Sequence, residues 1–175
     1  RDGGGVTPDI TIKQERLPNI VYYLLRDDLI FDYATDYCLK HPTIASAEDF
    51  KLTDADYEEF KKKVKAADFK YDQQSEKILK TLKEAAEFEG YMSEASDEFK
   101  ALEKKLNHNL DRDLDYFSKD IKEILALEIV KRYYYKRGAI IEQLKGDKGM
   151  EEAVKVLTSP ERYKEILTVP VAEKK

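Results

Sequence analysis

Apolar residues follow two different periods along this chain, and the change falls near Pro18. Before it, residues 10 to 13 alternate apolar and polar side chains, which predicts a short half-buried strand. One strand cannot form a sheet, so its partner strands are expected upstream of Arg1. After Pro18 the apolar residues recur at helical spacing, interrupted by a predicted loop over residues 42 to 52.

Residues typical of helix ends divide the helical part into segments. The pair Asp27 and Asp28 marks a point where the first helix can break into two. Thr53 is predicted to cap the next helix, and Gly90 is predicted to end the helix after that in a left-handed conformation. A bend is predicted around residues 107 to 109, and Ser159 is predicted to cap a last helix with proline at its first position.

Each predicted helix carries an apolar stripe that is expected to face the core. The stripes comprise Ile20, Val21, Leu24, Leu25, Phe31, Ala34 and Tyr37, then Tyr57, Phe60 and Val64, then Ile78, Leu82 and Ala85, then Phe99, Leu102 and Leu106, and finally Leu114, Phe117, Ile121, Ile124 and Leu125. The prediction is therefore an all-α fold, a multi-helix bundle of six to eight helices, preceded by a short orphan N-terminal β-strand.

Composition narrows the classes of partner. Of the 175 residues, 42% are hydrophobic and 38% are charged, which is typical of a folded chain with long solvated helices. A net charge of -5 disfavours nucleic acid or an anionic membrane surface as the main partner, since both attract a basic face. No apolar run approaches the roughly 18 residues that a membrane span needs, so no membrane insertion is predicted.

Two serine–lysine pairs have the spacing of one helical turn: Ser96 with Lys100, and Ser118 with Lys122. A catalytic dyad needs a neutral, desolvated lysine and an oxyanion hole beside the serine. Both pairs lie instead among charged residues on polar helix faces, where a lysine stays protonated at neutral pH. The sequence therefore predicts no catalytic residue within this chain.

Cys38 and His41 lie three residues apart, so one helix can place them on the same face. One interpretation is a reactive thiolate–imidazole pair. The other, which we favour, is a thiol that behaves as a small core residue, followed by a histidine suited to the negative end of the helix dipole.

Asp111, Asp113 and Asp115 have the spacing that opens a calcium-binding loop. The later positions of such a loop require glycine and glutamate, but Tyr116 and Lys122 stand there. The three aspartates are better interpreted as the acidic start of a helix. The chain has two histidines and one cysteine, so no zinc site and no cofactor is predicted.

The segment from residue 131 to 137 is the one basic cluster with interleaved aromatic residues. It contains Lys131, Arg132, Lys136 and Arg137 around three consecutive tyrosines. These four residues, termed the basic patch below, could dock an acidic partner. Nucleic acid is a weaker alternative because of the overall acidity, and structural packing of the tyrosines with solvated basic side chains is the favoured interpretation.

The first ten residues contain a glycine-rich motif formed by Gly3, Gly4, Gly5, Val6, Pro8 and Asp9. This motif resembles the stretch that closes the protease core of the C-terminal processing peptidases, also called tail-specific proteases. Residues 22 to 25 and 29 to 34 resemble the helix that succeeds the motif in bacterial members. Residues 153 to 157 and 160 to 163 are similar to the last helices of such chains.

The resemblance implies a division of the chain: residues 1 to 16 would end the protease core, residues 17 to 168 would form a helical C-terminal domain, and residues 169 to 175 would be a disordered tail. The family hydrolyses peptide bonds with a Ser-Lys dyad, which is expected outside this sequence together with a PDZ domain. This chain would then be the non-catalytic end of a longer parent protein in the bacterial cell envelope, most naturally the periplasm.

The resemblance also implies the partners. These are the protease core of the parent, to which the basic patch could dock, the polypeptide substrates of the parent, and a second copy in a homo-oligomer. The expected role is to support or regulate the protease core or to mediate assembly. The alternative from another class is a stand-alone helical adaptor that binds other proteins, in which case the N-terminal motif is a coincidence.

Overall fold

A computed structural model describes residues 8–13, 16–107 and 109–168. These residues contain nine helices and no strand, so the predicted all-α fold is confirmed, with more helices than the six to eight expected. Residues 10 to 13 carry no regular secondary structure. The predicted strand is therefore not confirmed, and it stays a prediction because its partners were expected outside this chain.

The helices follow one another with short connections. In chain order they are α1 (Asn19–Arg26), α2 (Leu29–Lys40), α3 (Asp54–Ala66), α4 (Gln74–Phe88), α5 (Met92–Leu106), α6 (Leu110–Tyr116), α7 (Ser118–Leu144), α8 (Lys148–Leu157) and α9 (Pro160–Leu167). Residues 42 to 52 form no helix, as predicted. No helix of the described part is long and apolar enough to cross a membrane.

Local sequence signals account for several helix boundaries. The predicted break between α1 and α2 is confirmed, because Asp28 adopts a left-handed conformation with φ of 58°. Thr53 and Asp56 form a capping box in which each side chain accepts a hydrogen bond from the backbone N–H of the other, at 3.1 and 3.0 Å. Gly90, at φ of 82°, ends α4 as predicted, since a residue with a side chain rarely adopts that angle.

The core lies between α1, α2, α3, α6 and α7. Tyr57 donates a buried hydrogen bond of 2.6 Å to the Leu114 carbonyl and thereby joins α3 to α6. Most predicted stripes of these helices are buried, and burial of aliphatic and aromatic side chains supplies the main stabilisation of such a bundle. The large side chains that are fully buried are Ile20, Val21, Leu24, Ile30, Phe60, Val64, Leu114, Ile121, Leu125, Ile129 and Val130.

The α4–α5 hairpin lies outside this core, and here the predicted stripe is wrong. Ile78 and Leu82 are 65% and 53% exposed, Ala85 is exposed, and Leu79 is the buried residue of α4. The spacing of the apolar residues correctly identifies the apolar side of α4. However, α5 packs against the neighbouring side of α4, so the apolar side remains exposed. Three other residues predicted to face inward are also exposed: Leu25, Phe31 and Leu102.

The long helix α7 is kinked beside its three tyrosines. Tyr135 has φ of 53° and ψ of −147°, which interrupts the helical backbone. One turn later Gly138 is buried, and a Cβ there would lie 2.4 Å from the Tyr134 Cβ and 2.9 Å from a methyl carbon of Val130. The kink thus brings the two turns so close that residue 138 must be glycine.

Candidate functional site

The serine–lysine pairs do not form dyads in the structure. The Lys122 ammonium lies 2.6 Å from the Asp54 carboxylate, and it also faces the Tyr57 ring at 5.1 Å. The Lys100 ammonium lies 3.4 Å from the Asp97 carboxylate. Each ammonium is thus engaged by a carboxylate, whereas the lysine of a dyad acts on the serine hydroxyl.

Cys38 and His41 occupy the end of α2, where the histidine contacts Tyr37. The two rings stack with centroids 4.1 Å apart, and His41 Nδ1 lies 2.9 Å from the Tyr37 carbonyl oxygen. Tyr133 of α7 donates a hydrogen bond to the His41 carbonyl. Burial raises the pKa of Tyr133 to about 12, so the phenol remains a donor at neutral pH. The arrangement joins α7 to α2, and Cys38 itself is partly exposed.

The three aspartates of the calcium-like spacing have separate partners. Asp111 pairs with Lys65, and Asp115 lies 2.8 Å from the Lys61 ammonium. Asp113 points the other way, into the protein, and is 5% exposed. In the part of the chain that the structure describes, no three carboxylate, histidine or cysteine side chains come together as a metal would require.

Asp113 accepts hydrogen bonds from the segment that precedes α4. The Tyr71 hydroxyl and the Gln73 amide nitrogen each lie 2.9 Å from its Oδ2 atom. Burial raises the pKa of Tyr71 to about 12, which keeps this hydroxyl protonated as a donor. The buried carboxylate is thus stabilised by hydrogen bonds and fixes where the chain leaves the core to enter the hairpin.

The basic patch is divided by the structure, because Arg132 is part of the packing between α7 and α2. Its guanidinium lies 2.7 Å from the Glu128 carboxylate, 3.0 Å from the Phe31 carbonyl and 4.6 Å from the centre of the Phe31 ring. It also donates to the Thr35 hydroxyl at 3.2 Å. The Arg132 side chain is only 19% exposed, so it serves the fold.

The other three members of the basic patch are exposed. Lys131 lies 3.7 Å from Glu128, and Lys136 and Arg137 follow the kink on the outer side of α7. Tyr135, which lies between Lys131 and Lys136 in the sequence, has an exposed side chain. These residues keep the character of a docking surface for an acidic partner, and that role stays a prediction.

An open apolar groove lies where the two ends of the described chain meet. Its volume is about 460 Å³. One wall is formed by the N-terminal segment and the other by α8 and α9, and the lining residues are Pro8, Asp9, Ile10, Ile12, Gly149, Glu152, Ala153, Val156, Leu157 and Ile166. The groove, termed the junction groove below, places part of the glycine-rich motif, Pro8 and Asp9, against the last helices. The rest of that motif, from Gly3 to Val6, lies outside the described residues.

Sequence reasoning missed the junction groove. The amphipathic spacing of Met150, Val154 and Leu157 along α8 is the signal that could have indicated an apolar surface there. These three side chains remain exposed, and Leu157 is 68% exposed. The sequence gives no indication that residues 8 to 12 return to this helix, because the contact joins segments about 140 residues apart.

The fold defines the class of protein: the described residues form an all-helical domain. The chain matches the family model described as "Probable PDZ-protease, C-terminal helical domain" over residues 20–157. It therefore belongs to this family of C-terminal helical domains of probable PDZ-proteases. Searches of curated proteins and of solved structures gave no match.

Proposed function

We propose that this chain is the non-catalytic C-terminal domain of a bacterial C-terminal processing serine peptidase, and that it supports or regulates the protease core. The observation that carries the proposal is the junction groove. The segment that resembles the end of a protease core, residues 8 to 12, lies against the final helices α8 and α9. A protease core that preceded this segment would be adjacent to those helices.

The exposed surface beside the groove supports the same arrangement. On α8, Val154 is 49% exposed and the groove-lining Leu157 is 68% exposed, and Leu167 of α9 is 62% exposed. Neither helix contributes a buried residue to the described structure. Exposed apolar side chains beside an apolar groove are typical of a contact with another protein surface. The parent's protease core is the partner that the chain connection brings to it.

In this proposal the chemistry takes place outside the chain. The serine nucleophile and lysine base would belong to the protease core, which would cut polypeptide substrates near their C-termini. The lysines of the two serine–lysine pairs support this division, since Lys100 and Lys122 are paired with carboxylates. The parent would act in the cell envelope, and we propose the periplasm as its compartment.

The test uses the parent protein with the double substitution Val154→Asp and Leu157→Asp. Two carboxylates in a covered apolar surface should displace it from the protease core. We expect peptide hydrolysis to change by at least about fivefold. A fall would indicate that the domain supports the core, and a rise would indicate that it restrains it.

The matched control is Leu39→Asp, which places a carboxylate at a leucine of α2 that is 79% exposed and far in sequence from the groove. Circular dichroism of each variant verifies that the helices remain folded. Equal hydrolysis by the double variant, the control and the wild type would contradict the proposal that this surface acts on the core.

A further inference from the structure

The charges of α4 are gathered on one side of the helix. Successive side chains of an α-helix rotate by roughly 100°. All six charged residues of α4 therefore lie within an arc of about 120°; they are Glu76, Lys77, Lys80, Lys83, Glu84 and Glu87. The opposite side carries no charge along four turns, in a chain in which 38% of residues are charged. It presents Ile78, Thr81, Leu82, Ala85 and Phe88.

This uncharged side faces solvent. Ile78 and Leu82 are 65% and 53% exposed, and Phe88 is 93% exposed. The side of α4 that meets α5 contains Leu79 and Lys83 instead, and Lys83 pairs with Glu103 of α5 at 2.7 Å. An amphipathic helix normally buries its apolar side. The exposed side of α4, termed the α4 face below, thus lacks a partner within the described residues.

One edge of the α4 face carries a positive and a negative side chain that could pair with the same edge of a second copy. Lys77 and Glu84 are seven residues apart, so they lie on the same edge of the face two turns from each other. In two parallel copies this edge would face the opposite, uncharged edge of the other helix, whereas two antiparallel copies would place each Lys77 beside the Glu84 of the other. Lys77 also pairs with Asp72 at 2.6 Å, and its ammonium has further donors available.

We propose that the α4 face is a self-association surface, on which α4 packs antiparallel against α4 of a second copy of this chain. A two-fold axis near Thr81 brings Ile78 of each copy against Leu82 of the other. It also forms two symmetric ion pairs between Lys77 and Glu84 at the edge. The apolar centre supplies the association and the charges select the antiparallel direction.

The size of the surface limits the expected affinity. α4 has 15 residues, which corresponds to about 22 Å of helix. A single pair of such helices buries less than a standard interface of about 1,600 Å². We therefore expect a dissociation constant on the order of 10 µM, which is readily measured with the purified chain.

The first test is sedimentation equilibrium of the 175-residue chain from about 1 to about 200 µM. We expect a monomer–dimer equilibrium, and we expect Leu82→Asp to weaken it by at least about tenfold. Leu39→Asp, at an exposed leucine outside the α4 face, should dimerise like the wild type. Circular dichroism verifies that both variants keep their helices.

The second test exchanges the edge charges. Lys77→Glu and Glu84→Lys should each weaken the dimer by about three- to tenfold, and the two together should restore it to within about twofold. A chain that stays monomeric at every concentration, or a dimer that Leu82→Asp leaves intact, would overturn the proposal and assign the α4 face to another occupant, the protease core included. Failure of the double exchange to restore a weakened dimer would overturn the antiparallel arrangement. None of these outcomes depends on the proposed action on a protease core.

Discussion

Asp113 is the charged residue that the described part of the molecule buries, and two neutral side chains stabilise it. Tyr71 and Gln73 donate to one of its oxygens from a segment 40 residues away in sequence. A buried carboxylate is tolerated when it accepts hydrogen bonds, and removing it takes away the acceptor that Tyr71 and Gln73 share. The residue therefore holds the start of the α4–α5 hairpin to α6.

We predict that Asp113→Ala lowers the free energy of unfolding by about 1 to 2 kcal/mol, because it removes the shared acceptor of two part-buried hydrogen bonds, from Tyr71 and Gln73. Urea denaturation followed by circular dichroism measures the change. Asp115→Ala is the control, since Asp115 makes an exposed ion pair with Lys61 and should cost less than about 1 kcal/mol. An equal decrease in the free energy of unfolding for the two variants would show that the buried hydrogen bonds of Asp113 add no stability beyond that of an exposed ion pair.

Helix α7 is attached to α2 by Arg132, one of the four residues of the basic patch, and by Tyr133, a tyrosine for which the sequence favoured structural packing. Arg132 packs on Phe31 and donates to its carbonyl, and Tyr133 donates to the carbonyl of His41. Only Lys131, Lys136 and Arg137 of the basic patch are free of this packing. Arg132 therefore contributes to the packing of α7 on α2, whereas the other three basic residues are exposed on the surface of α7.

We predict that Arg132→Gln lowers the free energy of unfolding by about 1 to 2 kcal/mol, because it removes a cation–π contact and charge-assisted hydrogen bonds. The triple substitution of Lys131, Lys136 and Arg137 by glutamine should change stability by less than about 0.5 kcal/mol. Urea denaturation compares the two. Comparable losses would mean that the basic residues of α7 all serve the fold, and the patch could no longer be considered a docking surface.

Local signals made the helix ends predictable. The break at Asp27 and Asp28, the Thr53 cap and the Gly90 terminus each depend on the conformational preferences of a few adjacent residues. The orientation of α4 was not predictable in this way. Its apolar side is evident from the sequence, but which side meets α5 depends on tertiary packing, so Leu79 is buried while Leu82 is exposed.

The whole molecule consists of a central bundle with two helical hairpins attached to it. Among the described residues, the core cluster contains no residue of α4, α5, α8 or α9. The bundle supplies stability, and each hairpin presents apolar side chains to solvent. The junction groove could not be predicted from the sequence, because it forms between distant segments that carry no shared motif.

In the function that we propose, this division of the molecule lets the chain contact a protease core through surfaces that its bundle holds in place. The bundle holds the hairpins in place, the α8–α9 hairpin meets the segment that resembles the end of a protease core, and the α4 face is available for a second copy. The candidate serines stand beside lysines that are already paired with carboxylates. The chemistry is therefore expected in the parent's protease core.

The most direct test of this account is peptide hydrolysis by the purified 175-residue chain, measured beside the parent protein on the same unstructured peptide. We predict cleavage by the parent and no cleavage by the chain above the rate of a buffer blank. The parent carrying Ser96→Ala and Ser118→Ala should cleave at the unaltered parent's rate. Hydrolysis by the chain alone that either alanine substitution abolishes would contradict the account.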